Sequence, residues 1–210
     1  MKLIIDCGHG GTDSGAIGLD YNEKDYNLEI GKMLIDKLKE YDCIPLITRD
    51  KDVYLSLSDR VEISNKNNCD VFISIHCNSY LDSKSNGFES FSYTGNSSLQ
   101  KSIHTELTKV LPLKDRGMKK ANFYVLKHTK AKAVLLELGF ISNKNDSTIL
   151  YENKSKIVNA IVNGIVKEYN LKSKSQYTVQ LGVFNNKDNA EKLVNELKEK
   201  GYKCIIKASV

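Results

Sequence analysis

Three short apolar runs, each ending in a histidine or a carboxylate, constrain the fold of this chain more than any other feature. Leu3-Ile4-Ile5 leads into Asp6-Cys7-Gly8-His9-Gly10-Gly11, Val71-Phe72-Ile73 into Ser74-Ile75-His76-Cys77-Asn78, and Ala133-Val134-Leu135-Leu136 into Glu137-Leu138-Gly139-Phe140. Short apolar runs bounded by polar or glycine-rich segments read as strands buried on both faces. Between them the period becomes helical: from Asp25, the residues Leu28, Ile30, Met33, Leu34, Ile35, Leu38 and Tyr41 form one stripe. The alternation predicts an α/β fold, a mostly parallel twisted sheet flanked by helices. Open sheets of this kind bind ligands in the crevice beyond the carboxyl ends of their strands. Exits bearing His9, His76 and Glu137 therefore predict one shared site, and the residue types suggest a metal.

The other elements follow the same logic. Strands are expected at Lys2–Ile5, Cys43–Thr48, Asp70–His76 and Ala133–Leu138, with Phe88–Tyr93 near a sheet edge and a short one at Asn122–Lys127. Helices are expected at Leu55–Asn67, Ser97–Val110 and Lys154–Tyr169, and a loop at Leu111–Ala121. A catalytic domain over 1–171 and a polar linker over 172–176 then precede a small βαβ unit over 177–210. That unit reads as strand Tyr177–Val183, helix Lys187–Lys200, Gly201 as a helix stop, and strand Lys203–Ala208. It buries too little apolar surface to stand alone and calls for a partner.

Composition removes several functional classes. The five cysteines are odd in number and include no Cys-x-x-Cys pair, which argues against a disulfide framework or a thiolate zinc knuckle. The net charge of +5 comes from lysines interleaved with acids, so no nucleic-acid partner is indicated, while an anionic polymer such as a bacterial wall fits. No apolar stretch approaches the roughly 20 residues of a membrane span, so no membrane insertion is expected. The apolar run near Met1 is shorter than a signal-peptide core of about 7 to 15 residues. Synthesis in the cytoplasm without a signal peptide is the expectation.

Hydrolytic zinc sites take three protein ligands from His, Asp and Glu and leave a fourth position for water. His9, Glu23 and His76 supply that set, from three separate elements. Zinc lowers the pKa of its water toward about 7 and polarises a carbonyl oxygen, and a general base must then move the proton. Glu137 suits that role because burial at the end of an apolar strand raises a carboxyl pKa toward the useful range.

These residues resemble the zinc-dependent N-acetylmuramoyl-L-alanine amidases of the type 3 class, found in bacterial autolysins and phage endolysins. The resemblance spans Lys2 to about Leu171. It is carried by Ile5 to Ala16, Asn22-Glu23-Lys24-Asp25-Tyr26-Asn27-Leu28, Thr48-Arg49-Asp50, Phe72 to Asn78 and Glu137 to Asn143. It implies that His9, Glu23 and His76 bind Zn2+ and that Glu137 is the catalytic carboxylate. The implied substrate is peptidoglycan, cut at the amide between the lactyl group of N-acetylmuramic acid and L-alanine, with action at the bacterial cell wall after release. A non-catalytic peptidoglycan-binding protein and a zinc peptidase on another wall amide stand as alternatives. Cys7 stands where the family usually has proline, and Cys77 where a small residue is common.

Strand alternation places Cys77 opposite His76, which favours packing over ligation; Cys7 is left open. Asn78 is a candidate for orienting a ligand or a substrate amide. Arg49, Asp50 and Arg60 read as a structural ion-pair group more than a contact for a wall anion, and His104 and His128 carry no assigned role. The tail resembles half of a sporulation-related repeat domain, a glycan-binding module built from two such halves. That implies wall binding, dimerisation of two chains through their tails, or both.

Overall fold

The computed structural model describes residues 1–18, 20–174, 181–202 and 204–207, in two compact units, Met1–Lys174 and Ser175–Val210. In the first unit β1 (Lys2–Cys7), α1 (Glu23–Leu38), β2 (Ile44–Ile47), α2 (Leu57–Lys66) and β3 (Val71–Asn78) build successive parallel crossovers. They are followed by β4 (Phe88–Ser92), α3 (Ser98–Val110), β5 (Asp115–Lys120), α4 (Tyr124–His128), β6 (Lys132–Phe140), α5 (Lys144–Glu152) and α6 (Lys154–Tyr169). The six strands lie in the order β2-β1-β3-β6-β4-β5. β1, β2, β3 and β6 are mutually parallel, whereas β4 pairs antiparallel with β6 and parallel with β5. The α/β sheet is thus mostly parallel, with a reversed pair at one side.

The two faces of the sheet are covered unequally. Leu3, Ile5, Ile73, Ile75, Leu136 and Leu138 pack on one face against Ile30 and Leu34 of α1, Ile103 of α3, and Ile157 and Ile161 of α6. The alternate residues Ile4, Phe72 and Leu135 form a smaller cluster with Val61 of α2 and with Val125 and Leu126 of α4. Two residues further along each strand on this second face stand Asp6, Ser74 and Glu137, and His76 follows Ser74 by two more. The small cluster stops before these positions. The polar carboxyl ends of β1, β3 and β6 therefore border a cleft.

Two local expectations are corrected. The segment read as a loop contains β5, whose sequence Asp-Arg-Gly-Met-Lys-Lys has no apolar run because it forms a half-exposed edge. The segment read as a strand at Asn122–Lys127 is the short helix α4, which turns the adjacent Val125 and Leu126 together into the core. Glu23, expected near the beginning of the first helix, is its first residue. The unforeseen α5 is capped by Asn143, whose side chain accepts from the Asp146 backbone N–H at 3.0 Å.

Backbone bonds from Asp42 to Lys172 and from Lys174 to Glu40, with a bridge between Tyr41 and Ser173, tie residues 172–174 to the first unit. In the second unit α7 (Lys187–Glu199) forms as the periodicity predicts, capped by Asn186 and stopped at Gly201, where φ is 86°. Of the strands expected at 177–183 and 203–208, residues 177–180, 203 and 208 lie outside the described residues; the described parts, 181–183 and 204–207, are not in strands. Among the described residues no helix is long and apolar enough to cross a membrane.

Candidate active site

The exit of β1 is shaped by backbone that only special residues tolerate. Gly8 continues the pairing by donating its N–H to the Ile75 carbonyl at 3.1 Å, and His9 then enters the left-handed region at φ 61°. A side chain at Gly8 would place its Cβ 2.3 Å from His76 Cε1. At Gly15, where φ is +62°, it would lie 2.6 Å from His9 Cδ2 and 2.7 Å from Glu23 Oε2. Glycine at both positions lets the loop close over the imidazoles. The rings of His9 and His76 meet edge to face with centroids 4.9 Å apart.

Glu23, from the first turn of α1, is the hub of the cluster. Its Oε1 lies 2.9 Å from His76 Nδ1 and 3.2 Å from His9 Nε2, and it accepts from the Cys77 backbone N–H at 3.0 Å. Its Oε2 accepts from the Ala16 N–H at 2.9 Å. His9, Glu23 and His76 each present a ligand atom, and these atoms lie within 4.8 Å of one another. Burial alone raises the Glu23 carboxyl pKa, but the hydrogen bonds and charges of His76 and His9 outweigh burial and hold it far below the usual carboxylate range. His9 moves the other way. Burial lowers its pKa, yet the bonds from Glu23 and Asp13 carry it up to about 9. Two imidazoles converging on one ionised carboxylate are a donor set that a divalent cation satisfies in place of protons.

Glu137 is aligned beside His76 across the β3–β6 ladder and opposite Glu89 across the β6–β4 ladder. Its Oε2 is buried and has no hydrogen-bond partner among the described residues. Burial is the largest influence on it. The charge of His76 pulls its pKa down, while Glu23 and Glu89 push it up, and the result is about 7. A buried carboxyl with an unsatisfied oxygen beside two imidazoles and an ionised carboxylate is poised to take up and return a proton.

The remaining candidates sort by what they touch. Asn78 Nδ2 donates to Glu89 Oε1 at 2.8 Å, which places it beside the cluster and outside it. Arg60 pairs with buried Asp6 at 2.8 Å and donates to the His9 carbonyl at 2.8 Å, so it braces the β1 loop. Arg49 is spent on the carbonyls of Cys7, Gly8 and Lys24. Cys7 and Cys77 lie in the core of the covered face, and burial pushes the Cys7 thiol to about 12. His104 is buried against Ser90 and Asp115, at 2.9 Å from each. Sequence reasoning missed Asp13, whose Oδ2 sits 2.8 Å from His9 Nδ1 and fixes that ring; its signal was its place four residues on in the same glycine-rich loop.

A cavity of about 300 Å3 opens over His9, His76 and Glu137, walled by Tyr54, Leu57, Phe123 and Tyr124. The N-acetylmuramoyl-L-alanine amidase family model matches residues 3–167, and the SPOR domain model matches residues 173–209. The chain is 36% identical to the sporulation-specific N-acetylmuramoyl-L-alanine amidase of Bacillus subtilis (strain 168), over 98% of this chain and 84% of that protein. Among solved structures, the catalytic domain of CwlV from Bacillus (Paenibacillus) polymyxa superposes with a TM-score of 0.77 at 32% identity, covering 81% of this chain and 99% of that one. The amidase AmiC2 of Nostoc punctiforme gives a TM-score of 0.78 at 35% identity, covering 81% and 97%.

Proposed function

Since this chain belongs to the N-acetylmuramoyl-L-alanine amidase family and is a peptidoglycan hydrolase with a SPOR domain behind its catalytic fold, we propose that its reaction is run by four residues, three at the carboxyl ends of β1, β3 and β6 and one in the first turn of α1. In this reading His9, Glu23 and His76 hold zinc, and Glu137 is the general base and then the general acid. The observation that carries it is that two buried carboxyls beside His76 are met differently: Glu23 by two imidazoles and two backbone N–H groups, Glu137 by no hydrogen-bond partner at its Oε2 among the described residues. Environments that drive two carboxyls apart divide the ligand role from the proton-transfer role.

Zinc bound there would supply Lewis acidity, polarising a carbonyl oxygen and acidifying water. Asp13 fixes the His9 ring so that Nε2 faces Glu23. Glu137 accepts a proton at its unpartnered Oε2 and delivers it to the nitrogen of the departing L-alanine. Asn78 orients Glu89 beside it and thereby shapes the pocket the substrate enters. The bond broken in this reading is the amide between the lactyl carbonyl of N-acetylmuramic acid and L-alanine.

The tail complements this chemistry by holding the wall. None of the residues of α7 is buried, and Leu181, Val183, Phe184, Tyr202 and Ile205 are exposed in the tail. Apolar surface of this extent supports pairing of two tails into one glycan-binding platform. A monomer at micromolar concentration by light scattering, with the tail intact, contradicts the pairing.

Purified peptidoglycan digested by the zinc-loaded chain tests the reaction, with the new ends identified by mass spectrometry. Muramic acid with a free lactyl carboxylate and peptide with a free L-alanine amine are expected, and both vanish with chelator. A newly freed internal peptide amine overturns the reading.

A further inference from the structure

The open face continues past Glu137 onto β4 and β5. Glu89, 5% exposed and opposite Glu137, accepts from Asn78 Nδ2 at 2.8 Å and from Arg116 Nε at 3.1 Å, and forms an ion pair with Lys119. Two cations thus meet the one carboxylate of Glu89. The Arg116 guanidinium lies over the Phe140 ring at 5.0 Å from its centroid. Its Nη1 reaches the Asn86 carbonyl at 3.4 Å, while Nη2 has no hydrogen-bond partner among the described residues. The group borders a cavity of about 360 Å3, which Tyr80 and Ser85 also line. A guanidinium held by an aromatic ring and by a carboxylate at Nε is a preorganised fork, and carboxylates are the ligands that match it.

We propose that this cavity is a specificity subsite, in which Arg116 grips a carboxylate of the peptide whose amide is cut, while Lys119, outside the cavity lining, shares Glu89 with it. The proposal rests on the amidase reading above. Adjacent strands are about 4.8 Å apart, so β5 lies about 10 Å from β6, the reach of about three extended residues. The carboxylate accordingly belongs to one of the first three residues after the scissile amide. On the other side of His76 the cleft wall is aromatic and aliphatic, and Arg60 there is already spent on Asp6 and backbone carbonyls. The peptide therefore runs over β4 and β5, and the sugar lies toward Tyr54 and Tyr124.

The test uses the zinc-loaded full chain on N-acetylmuramoyl tripeptides whose carboxylates are either free or converted to carboxamides. The free acid is expected to have the higher kcat/KM, by about 10- to 100-fold for a hydrogen-bonded charge. Arg116→Gln collapses that ratio by raising KM for the acid with kcat retained, and Arg116→Lys restores part of it. Lys119→Gln, at a more exposed position, lowers the ratio by less. An unchanged ratio in Arg116→Gln overturns the subsite, and so does an equal loss of kcat on both substrates, which marks Arg116 as a structural support for Glu89. If the unmodified chain cleaves neither substrate, the amidase reading falls and the subsite falls with it.

Discussion

The first turn of α1 and the end of β6 each bury a glutamate near His76, and they treat it in opposite ways. Glu23 is met by two imidazoles and by the backbone N–H groups of Ala16 and Cys77. Glu137 is met by charges, with no donor at its Oε2. Burial acts on both in the same direction, so the number of donors decides the outcome. In the proposed reading, ligand and proton carrier are therefore distinguished by local hydrogen bonding within one cleft, since depth alone does not separate them.

His76 serves both regions, so His76→Ala gives the largest expected effect. It removes a proposed ligand and the charge facing Glu137, and turnover of peptidoglycan should fall about 10³-fold or more together with loss of bound zinc. Retention of one zinc per chain by elemental analysis would break the shared role.

In the metal-free protein the two glutamates should give opposite pH slopes. The Glu137 pKa is raised from 4.5 to about 7, so its contribution to stability is present below pH 4.5 and is lost as pH rises through 7. A shift of that size is worth on the order of 3 kcal/mol. Glu23 is depressed, so its contribution is present above its ordinary value of 4.5 and is lost on acidification. His9, raised from 6.5 to about 9, adds a further loss of stability between those values. Urea unfolding of chelator-treated protein from pH 4 to 9 checks this: Glu137→Gln flattens the fall between 4.5 and 7, and an unchanged slope contradicts it.

Asp13→Ala leaves all three proposed ligands in place but frees the His9 ring, and zinc affinity should drop by about 10- to 100-fold in competition with a chromophoric chelator. Cys7→Ala is the smallest effect. Cys7 Sγ lies 2.2 Å from where a Cβ on Gly31 would stand, so it fills the contact between β1 and α1. Its loss should cost about 1 kcal/mol of stability with no change in zinc content.

His9, His76 and Glu137 were legible because each ends a buried strand, and a buried parallel strand is a local apolar signal. Glu23 was legible by residue type, and its donors were not, because Ala16 and Cys77 reach it only once the loop has folded over α1. β5 was unreadable because an edge strand needs no apolar run, and α4 was misread because Phe123, Tyr124 and Val125 favour strands until packing against α2 overrides them. Glu89 escaped notice for a topological reason: β4 is inserted antiparallel beside β6, and only that pairing sets it opposite Glu137.

The division of roles between the two glutamates is tested most directly by Glu137→Gln, assayed at once for zinc content and for release of L-alanine amines from peptidoglycan. The prediction is one zinc per chain with turnover reduced by about 10²- to 10⁴-fold, the range for loss of a general acid–base group. Loss of zinc with turnover, or full turnover with zinc retained, would contradict it.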